Sequence, residues 1–146
     1  MPVDRLDWEH FPHGADIGVR GRGASCADAF AATAVALTGV VTEPDAVAAA
    51  TAVAVCCAAP DRETLLVDWL NALVFEMADR DMLFARFEVA IETTDGGVAL
   101  TARAWGEPLD RHRHRPAVEV KGATFTELAV RETADGDWLA QCVVDV

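Results

Sequence analysis

The sequence contains no tyrosine, only one lysine and an excess of acidic over basic side chains. Its 146 residues include 12 basic and 24 acidic side chains, so the formal net charge at pH 7 is −12. A surface of that sign repels phosphates, which disfavours direct binding of nucleic acid and favours a basic protein partner. The hydrophobic share of 52% is too high for a disordered chain. The length and composition predict a single globular domain over residues 1–146.

Long apolar runs and CxxC pairs are also missing. No stretch reaches the roughly 20 apolar residues that a membrane-spanning helix requires. Residues 1–10 do not show the basic and then apolar pattern of a signal peptide. We therefore expect a cytoplasmic protein with no membrane partner. In a reducing compartment the cysteines are best interpreted as small buried hydrophobic residues rather than disulfides or metal thiolates; they are Cys26, Cys56, Cys57 and Cys142.

Apolar periodicity predicts two helices. Ser25 is a candidate N-cap for the first helix and Asp61 for the second. The first helix has one apolar face, formed by Phe30, Ala34, Leu37 and Val41. The second has a stronger one, formed by Leu66, Trp69, Leu70, Leu73 and Met77.

The remaining segments read as strands. Strands are predicted at 15–22, 51–59, 84–93, 98–105, 125–132 and 138–145, with a short edge segment at 118–121. Gly-containing turns at 95–97 and 135–136 predict two hairpins, and 107–116 reads as a polar loop. The order β-α-β-α-β-β-β-β predicts an α+β fold. We expect a two-layer sandwich, in which a mixed or antiparallel sheet carries both helices on one face.

The entry of the first strand groups two histidines with a carboxylate. His10, His13 and Asp16 lie within seven residues, beside a glycine. Such a group can bind a metal or transfer a proton. On the residues alone a plainer interpretation is favoured, in which Asp16 accepts hydrogen bonds from turn amides and the histidines are solvated.

The last strand ends in a second acidic group. Asp145 is adjacent to the carboxylate of Val146, and like charges this close repel unless a cation or a donor neutralises them. Oxygen ligands of this kind suit Mg²⁺, Ca²⁺ or Mn²⁺. The alternative is a frayed, solvated chain end, although the strand is apolar almost to its last residue.

Basic residues supply two further candidates. Lys121 is the only lysine beside 11 arginines, which suggests either a position where a compact ammonium is needed or a chance surface residue. Residues 110–115 alternate Arg and His, which suggests phosphate contact, a metal tract, an internal counter-charge or, most simply, a solvated loop. The phosphate-binding GxxxxGK[ST] and GxGxxG motifs and the GxSxG nucleophile motif are absent.

Five segments in order resemble the archease family over nearly the whole chain. They are WEHFPHGADIG at 8–18, the two helices at 25–30 and 65–71, the stretch from Gly106-Glu107 through His114 to EVKGAT at 119–124, and the ending VVDV at 143–146. Gly14 departs from the family's threonine, and Phe125 and Thr126 replace its tyrosine and the next residue.

The resemblance implies a function that composition does not reveal. Archeases are small, non-enzymatic activators of the RtcB-type RNA-splicing ligase, which joins RNA ends using GTP, Mn²⁺ and a guanylylated histidine of its own. They promote guanylylation and repeated turnover in tRNA splicing or RNA repair, so RNA is met only through the ligase.

The resemblance also assigns residues. It places a divalent cation (Ca²⁺, Mg²⁺ or Mn²⁺) on Asp16, Asp145 and the carboxylate of Val146, and a functionally important lysine at Lys121. The motif positions His13, His114 and Glu119 are further functional candidates; none is implied to be catalytic.

Two other functions remain open from the sequence. One is a small metal-dependent hydrolase that uses His13, Asp16 and Asp145 and acts alone. The other is a general chaperone or adaptor, which would be indifferent to metal and to Asp145.

Overall fold

Two antiparallel sheets surround a buried helix in the computed structural model, which describes residues 7–146. The elements are β1 Asp7–His13, β2 Asp16–Gly23, α1 Cys26–Val41, a 3₁₀ turn Pro44–Ala46, β3 Thr51–Ala59, α2 Arg62–Arg80, β4 Met82–Thr94, β5 Gly97–Pro108, α3 Arg111–His114, β6 Gly122–Ala123, β7 Ala129–Glu132 and β8 Trp138–Asp145. The predicted α+β class is confirmed. Within residues 7–146, no helix has both the length and the apolar character needed to cross a membrane.

The strands divide between two sheets, where the sequence predicted one. The five-stranded sheet has the order β1-β2-β8-β6, with β7 also paired to β8, and the three-stranded sheet has the order β3-β5-β4. Helix α1 packs against β2 and β8 on one side and against β4 on the other. Because α1 is apolar on nearly every side and has Asp28 as its one charged residue, it must be covered all round.

The N-terminal hairpin was missed. The single strand predicted at 15–22 corresponds to β2. The structure adds β1, which pairs with β2 along its whole length from Asp7 to His13. Gly14 in the turn has a φ of +60°, a left-handed conformation in which glycine carries no steric cost. Pro12 is tolerated because β1 is an edge strand.

Three predictions after β5 were also wrong in their bounds. The edge segment expected at 118–121 is not a strand, and β6 follows it instead. The strand expected at 125–132 shrinks to β7, because a turn with Glu127 at a φ of +54° precedes it. The polar loop expected at 107–116 begins with the end of β5 and contains the one-turn α3.

The helix caps and the core follow the predictions. Ser25 Oγ accepts from Asp28 N at 3.1 Å, and Asp61 Oδ1 accepts from Thr64 N at 2.7 Å. The fully buried Trp69 donates through Nε1 to Phe30 O at 3.1 Å and so joins the two helices.

The cysteines fit the prediction unevenly. Cys142 is buried, and burial raises the pKa of its thiol to about 12. Cys26 and Cys57 are half-buried, and all four thiols are free. Cys56 is exposed on β3, so the buried interpretation is wrong for that residue.

Candidate functional site

The start of β2 lies beside the end of the chain. Strands β2 and β8 are antiparallel with Ile17 opposite Val144, so Asp16 and Asp145 occupy the next position on each strand. The backbone N–H of Val146 donates to Asp16 Oδ1 at 3.3 Å. We call Asp16, Asp145 and Val146 the carboxylate rim.

The segment of Lys121 adjoins this rim through backbone hydrogen bonds. Lys121 N donates to Asp145 O at 2.9 Å, and Gly122 is paired with Asp145 in the β6–β8 ladder. Asn71 on α2 holds β6 from the other side, since its Oδ1 accepts from Ala123 N at 2.8 Å. The exposed Lys121 side chain therefore starts from backbone that is fixed against the rim.

The two N-terminal histidines have different surroundings. His13 is exposed and paired with Asp16 in the β1–β2 hairpin, at the rim. His10 Nε2 lies 2.8 Å from Ala36 O of α1, and its ring is 5.3 Å from that of Trp8. Both histidines are exposed, as the solvated interpretation expects, and His10 in addition ties β1 to α1 through its contact with Ala36 O.

The rim offers only oxygen donors. Val146 packs against the core and is half-buried, so the chain end is held rather than frayed, whereas Asp145 is exposed. In the part of the chain that the structure describes, no three His, Cys, Asp or Glu side chains are grouped as metal ligands. A cation at the rim would thus need the carboxylate of Val146 beside the two aspartates. That donor set matches the preference of Mg²⁺, Ca²⁺ and Mn²⁺.

His114 lies away from the rim, in a separate network with Glu107 and Arg113. Both oxygens of the buried Glu107 carboxylate accept from Arg113, at 2.5 and 2.9 Å, and Oε2 also accepts from Ala48 N at 2.8 Å. These hydrogen bonds, the one from Arg113 first, lower the pKa of Glu107 to about 2. We call Glu107, Arg113 and His114 the Glu107 network.

The hydrogen bonds of His114 define its tautomer. Nδ1 accepts from Asp110 N at 2.9 Å, so the proton of a neutral ring is on Nε2, which donates to Glu107 Oε2 at 2.8 Å. Thr42 Oγ1 donates to His114 O. His114 is only 3% exposed, and every polar atom of its ring has a partner. This network joins the end of β5 to α3 and to the segment after α1.

The solvated-loop interpretation of 110–115 is therefore wrong for the buried His114, whereas the exposed Arg113 provides the internal counter-charge to Glu107. Glu107 belongs to the motif stretch that begins at Gly106, but the sequence predicts no role for it. One signal was available: Asp110 precedes the Arg/His run at N-cap spacing, and its Oδ1 accepts from His112 N and Arg113 N.

Glu119 lies on a third feature, a surface groove of about 710 Å³ between α2 and residues 109–121. Lys121 lines the same groove, as do Phe75 and Val118. Three large apolar side chains are exposed among the described residues: Phe75 (62%), Val118 (39%) and Phe125 (65%).

Comparison with known proteins identifies the family of the chain. A model of the archease protein family matches residues 8–146. The protein archease of Pyrococcus abyssi is 40% identical over 95% of this chain and 98% of its own, and that of Methanosarcina acetivorans is 35% identical over the full length of both. The solution structure of Methanobacterium thermoautotrophicum protein 1598 matches with a TM-score of 0.83 and 32% identity, over 95% of this chain and 98% of that one. With a family match and relatives of this identity along almost its whole length, the chain belongs to the archease family.

Proposed function

We propose that this chain is a protein activator of an RtcB-type, GTP-dependent RNA ligase, and that it promotes ligase guanylylation and multiple turnover in tRNA splicing or RNA repair. The observation that carries the proposal is the carboxylate rim. Asp16 and Val146 are 130 residues apart in the sequence. The hydrogen bond from Val146 N–H to Asp16 Oδ1 brings them together where β2 begins and β8 ends.

In this proposal Asp16, Asp145 and the carboxylate of Val146 hold one divalent cation. The donors are all oxygens, which favours Ca²⁺, Mg²⁺ or Mn²⁺ over softer metals. A bound cation would supply positive charge that attracts phosphate oxygens at the ligase active site. Lys121, whose backbone is fixed against Asp145, adds a second positive group at the same edge.

The charge of the chain favours contact with the ligase rather than with RNA. A net charge of −12 repels an RNA backbone. An RNA ligase must present a basic surface to its substrate, and an acidic edge complements that surface. Docking there would act by stabilising the ligase conformation that accepts the guanylyl group.

Apolar side chains near the rim supply anchors for such a complex. Phe75 and Val118 line the groove that Lys121 also lines, and Phe125 lies two residues after β6. Exposed aromatic side chains that become buried in an interface contribute much of its binding energy. Because Lys121 lines the groove and also adjoins Asp145, the groove supports a protein partner at this end of the molecule.

The test is a reconstituted assay of ligase guanylylation and RNA joining under multiple-turnover conditions. We expect Asp16→Asn and Asp145→Asn each to lower the stimulation at least about tenfold, a loss of about 1.4 kcal/mol or more of coupling. Lys121→Arg keeps the charge and tests the ammonium itself. Asp95→Asn, at an exposed position in the β4–β5 turn, makes the same change in charge and should stimulate like wild type.

Each other outcome counts against the proposal. Wild-type stimulation by folded Asp16→Asn, Asp145→Asn and Lys121→Arg variants alike would contradict it. Turnover of RNA ends by the chain alone would favour the hydrolase. Protection of unrelated proteins from aggregation, unaffected by Asp145→Asn, would favour the general chaperone.

A further inference from the structure

Strand β3 is an open edge of the three-stranded sheet. In the order β3-β5-β4, β3 is hydrogen-bonded to β5 from Thr51 to Ala59, and among the described residues no other strand pairs with it. In an antiparallel pair, alternate residues direct their N–H and C=O groups away from the neighbouring strand. A nine-residue strand therefore presents a row of backbone donors and acceptors to solvent.

This edge lacks the charges, prolines and bulges that usually protect an edge strand against pairing. Residues 46–60 contain no charged side chain, in a chain of which a quarter is charged. The strand has no proline, and its register with β5 runs without a bulge. Its outward side chains are small and exposed, namely Ala52, Ala54, Cys56 and Ala58. Natural edge strands normally avoid association through charges, prolines or bulges.

The opposite edge of the same sheet is protected. Strand β4 exposes Arg86, Glu88 and Glu92 on the outer face, and its pairing with β5 is interrupted between Phe84 and Arg86. Strand β1, an edge of the other sheet, carries Asp7, Glu9 and Pro12. The lack of protection is thus particular to β3.

We propose that β3 pairs in antiparallel fashion with β3 of a second copy of this chain across a two-fold axis, to form a six-stranded sheet in the order β4-β5-β3-β3-β5-β4. An edge strand can always pair with itself in this way, and two-fold dimers are the commonest symmetric assemblies. Charge also favours a second copy at this place. Two chains of net charge −12 repel each other over most of their surfaces, and least where 15 consecutive residues are uncharged.

The dimer leaves the carboxylate rim accessible. The rim belongs to the five-stranded sheet, whereas β3 belongs to the three-stranded one. The two rims of a dimer would remain free for separate partners. The inference does not depend on the proposed function.

Sedimentation equilibrium over a range of concentrations tests the dimer, with Ala54→Lys as the variant and Ala90→Lys as its control. Both residues are exposed on the outer face of the same sheet, Ala54 on β3 and Ala90 on β4. Both changes make the net charge less negative, so neither increases repulsion between copies. We expect wild type and Ala90→Lys to approach twice 15.6 kDa, and Ala54→Lys to remain near 15.6 kDa.

A second measurement needs no variant. Hydrogen exchange in wild type should slow with rising concentration at alternate amides of 51–59 and stay constant in β4. A wild type that is monomeric at every concentration would overturn the proposal. Equal behaviour of the two lysine variants, or β3 exchange that is independent of concentration, would overturn it as well.

Discussion

The carboxylate rim and the Glu107 network both contain carboxylates, but they differ in burial and in the number of hydrogen bonds that the carboxylates accept. Glu107 is buried; its Oε1 accepts from Arg113, and its Oε2 accepts from Arg113, His114 and Ala48 N. At the rim, Asp145 is exposed, and the hydrogen bond described for Asp16 is a single 3.3 Å contact.

The difference separates stability from binding. A buried carboxylate whose hydrogen bonds are all made within the fold has no capacity left for a ligand, and removing a partner leaves costly unpaired groups. Carboxylates that lie together with few partners repel one another, and that repulsion is relieved when a cation binds. We therefore assign the Glu107 network to holding α3 and the segment after α1, and the rim remains the site proposed for function.

The largest expected effect is on stability, from Glu107→Ala. This change leaves Ala48 N–H, His114 Nε2–H and the Arg113 guanidinium without their acceptor. Because Arg113 is exposed and the buried His114 donor bears most of the cost, we expect a loss of about 2–3 kcal/mol in the free energy of unfolding. Urea denaturation measures it.

Glu88→Ala is the matched control. Glu88 is exposed and paired with Arg86 at 3.0 Å, so its loss should cost no more than about 1 kcal/mol. Equal losses in the two variants would erase the distinction between a buried network and a surface pair.

The pH dependence of the free energy of unfolding should reveal the part of this contribution that comes from ionised Glu107. The folded-state pKa of Glu107 is about 2, below its ordinary value of 4.5, so its ionised form stabilises the fold above pH 4.5 and that contribution is lost as the pH falls toward 2. Between pH 5 and pH 3, wild type should therefore lose more stability than Glu107→Gln. Other carboxylates titrate in both proteins and cancel in the difference. A constant difference across this range would show that folding does not lower the pKa of Glu107.

The proximity of Asp16 and Asp145 could be predicted from the sequence because both residues lie at the ends of recognisable strands. Asp16 opens β2 and Asp145 closes β8, and both strands were recognisable from their alternation and from the glycine turns near them. Once such strands pair in antiparallel fashion, the start of one meets the end of the other. The family resemblance pointed to the same residues.

The division into two sheets and the Glu107 network depend on contacts that leave little trace in local pattern. Helix α1 separates the sheets because it is covered on both sides, whereas a single buried face was expected. The acceptor role of Glu107 involves Ala48 N, 59 residues away. Strand β1 was missed because Pro12 and two histidines resemble a loop, although an edge strand tolerates them.

The smallest expected effect is that of Asp145→Asn on the free energy of unfolding. A value near zero would distinguish the rim from the Glu107 network most clearly. Without divalent cations, Asp145→Asn should change the free energy of unfolding by less than about 0.5 kcal/mol, or raise it slightly, because it removes one of several neighbouring negative charges and no described hydrogen bond of the side chain. With Ca²⁺ or Mn²⁺ at about 100 times its dissociation constant, wild type should gain about 2.7 kcal/mol and the variant less. Thermal unfolding with and without the cation measures both quantities.

A large loss of stability without the cation would make Asp145 a structural residue like Glu107. Equal gains in both proteins on adding the cation would place the cation elsewhere. The near-neutral result is informative because a carboxylate that contributes nothing to folding, at an edge built from three separate segments, is available to a ligand.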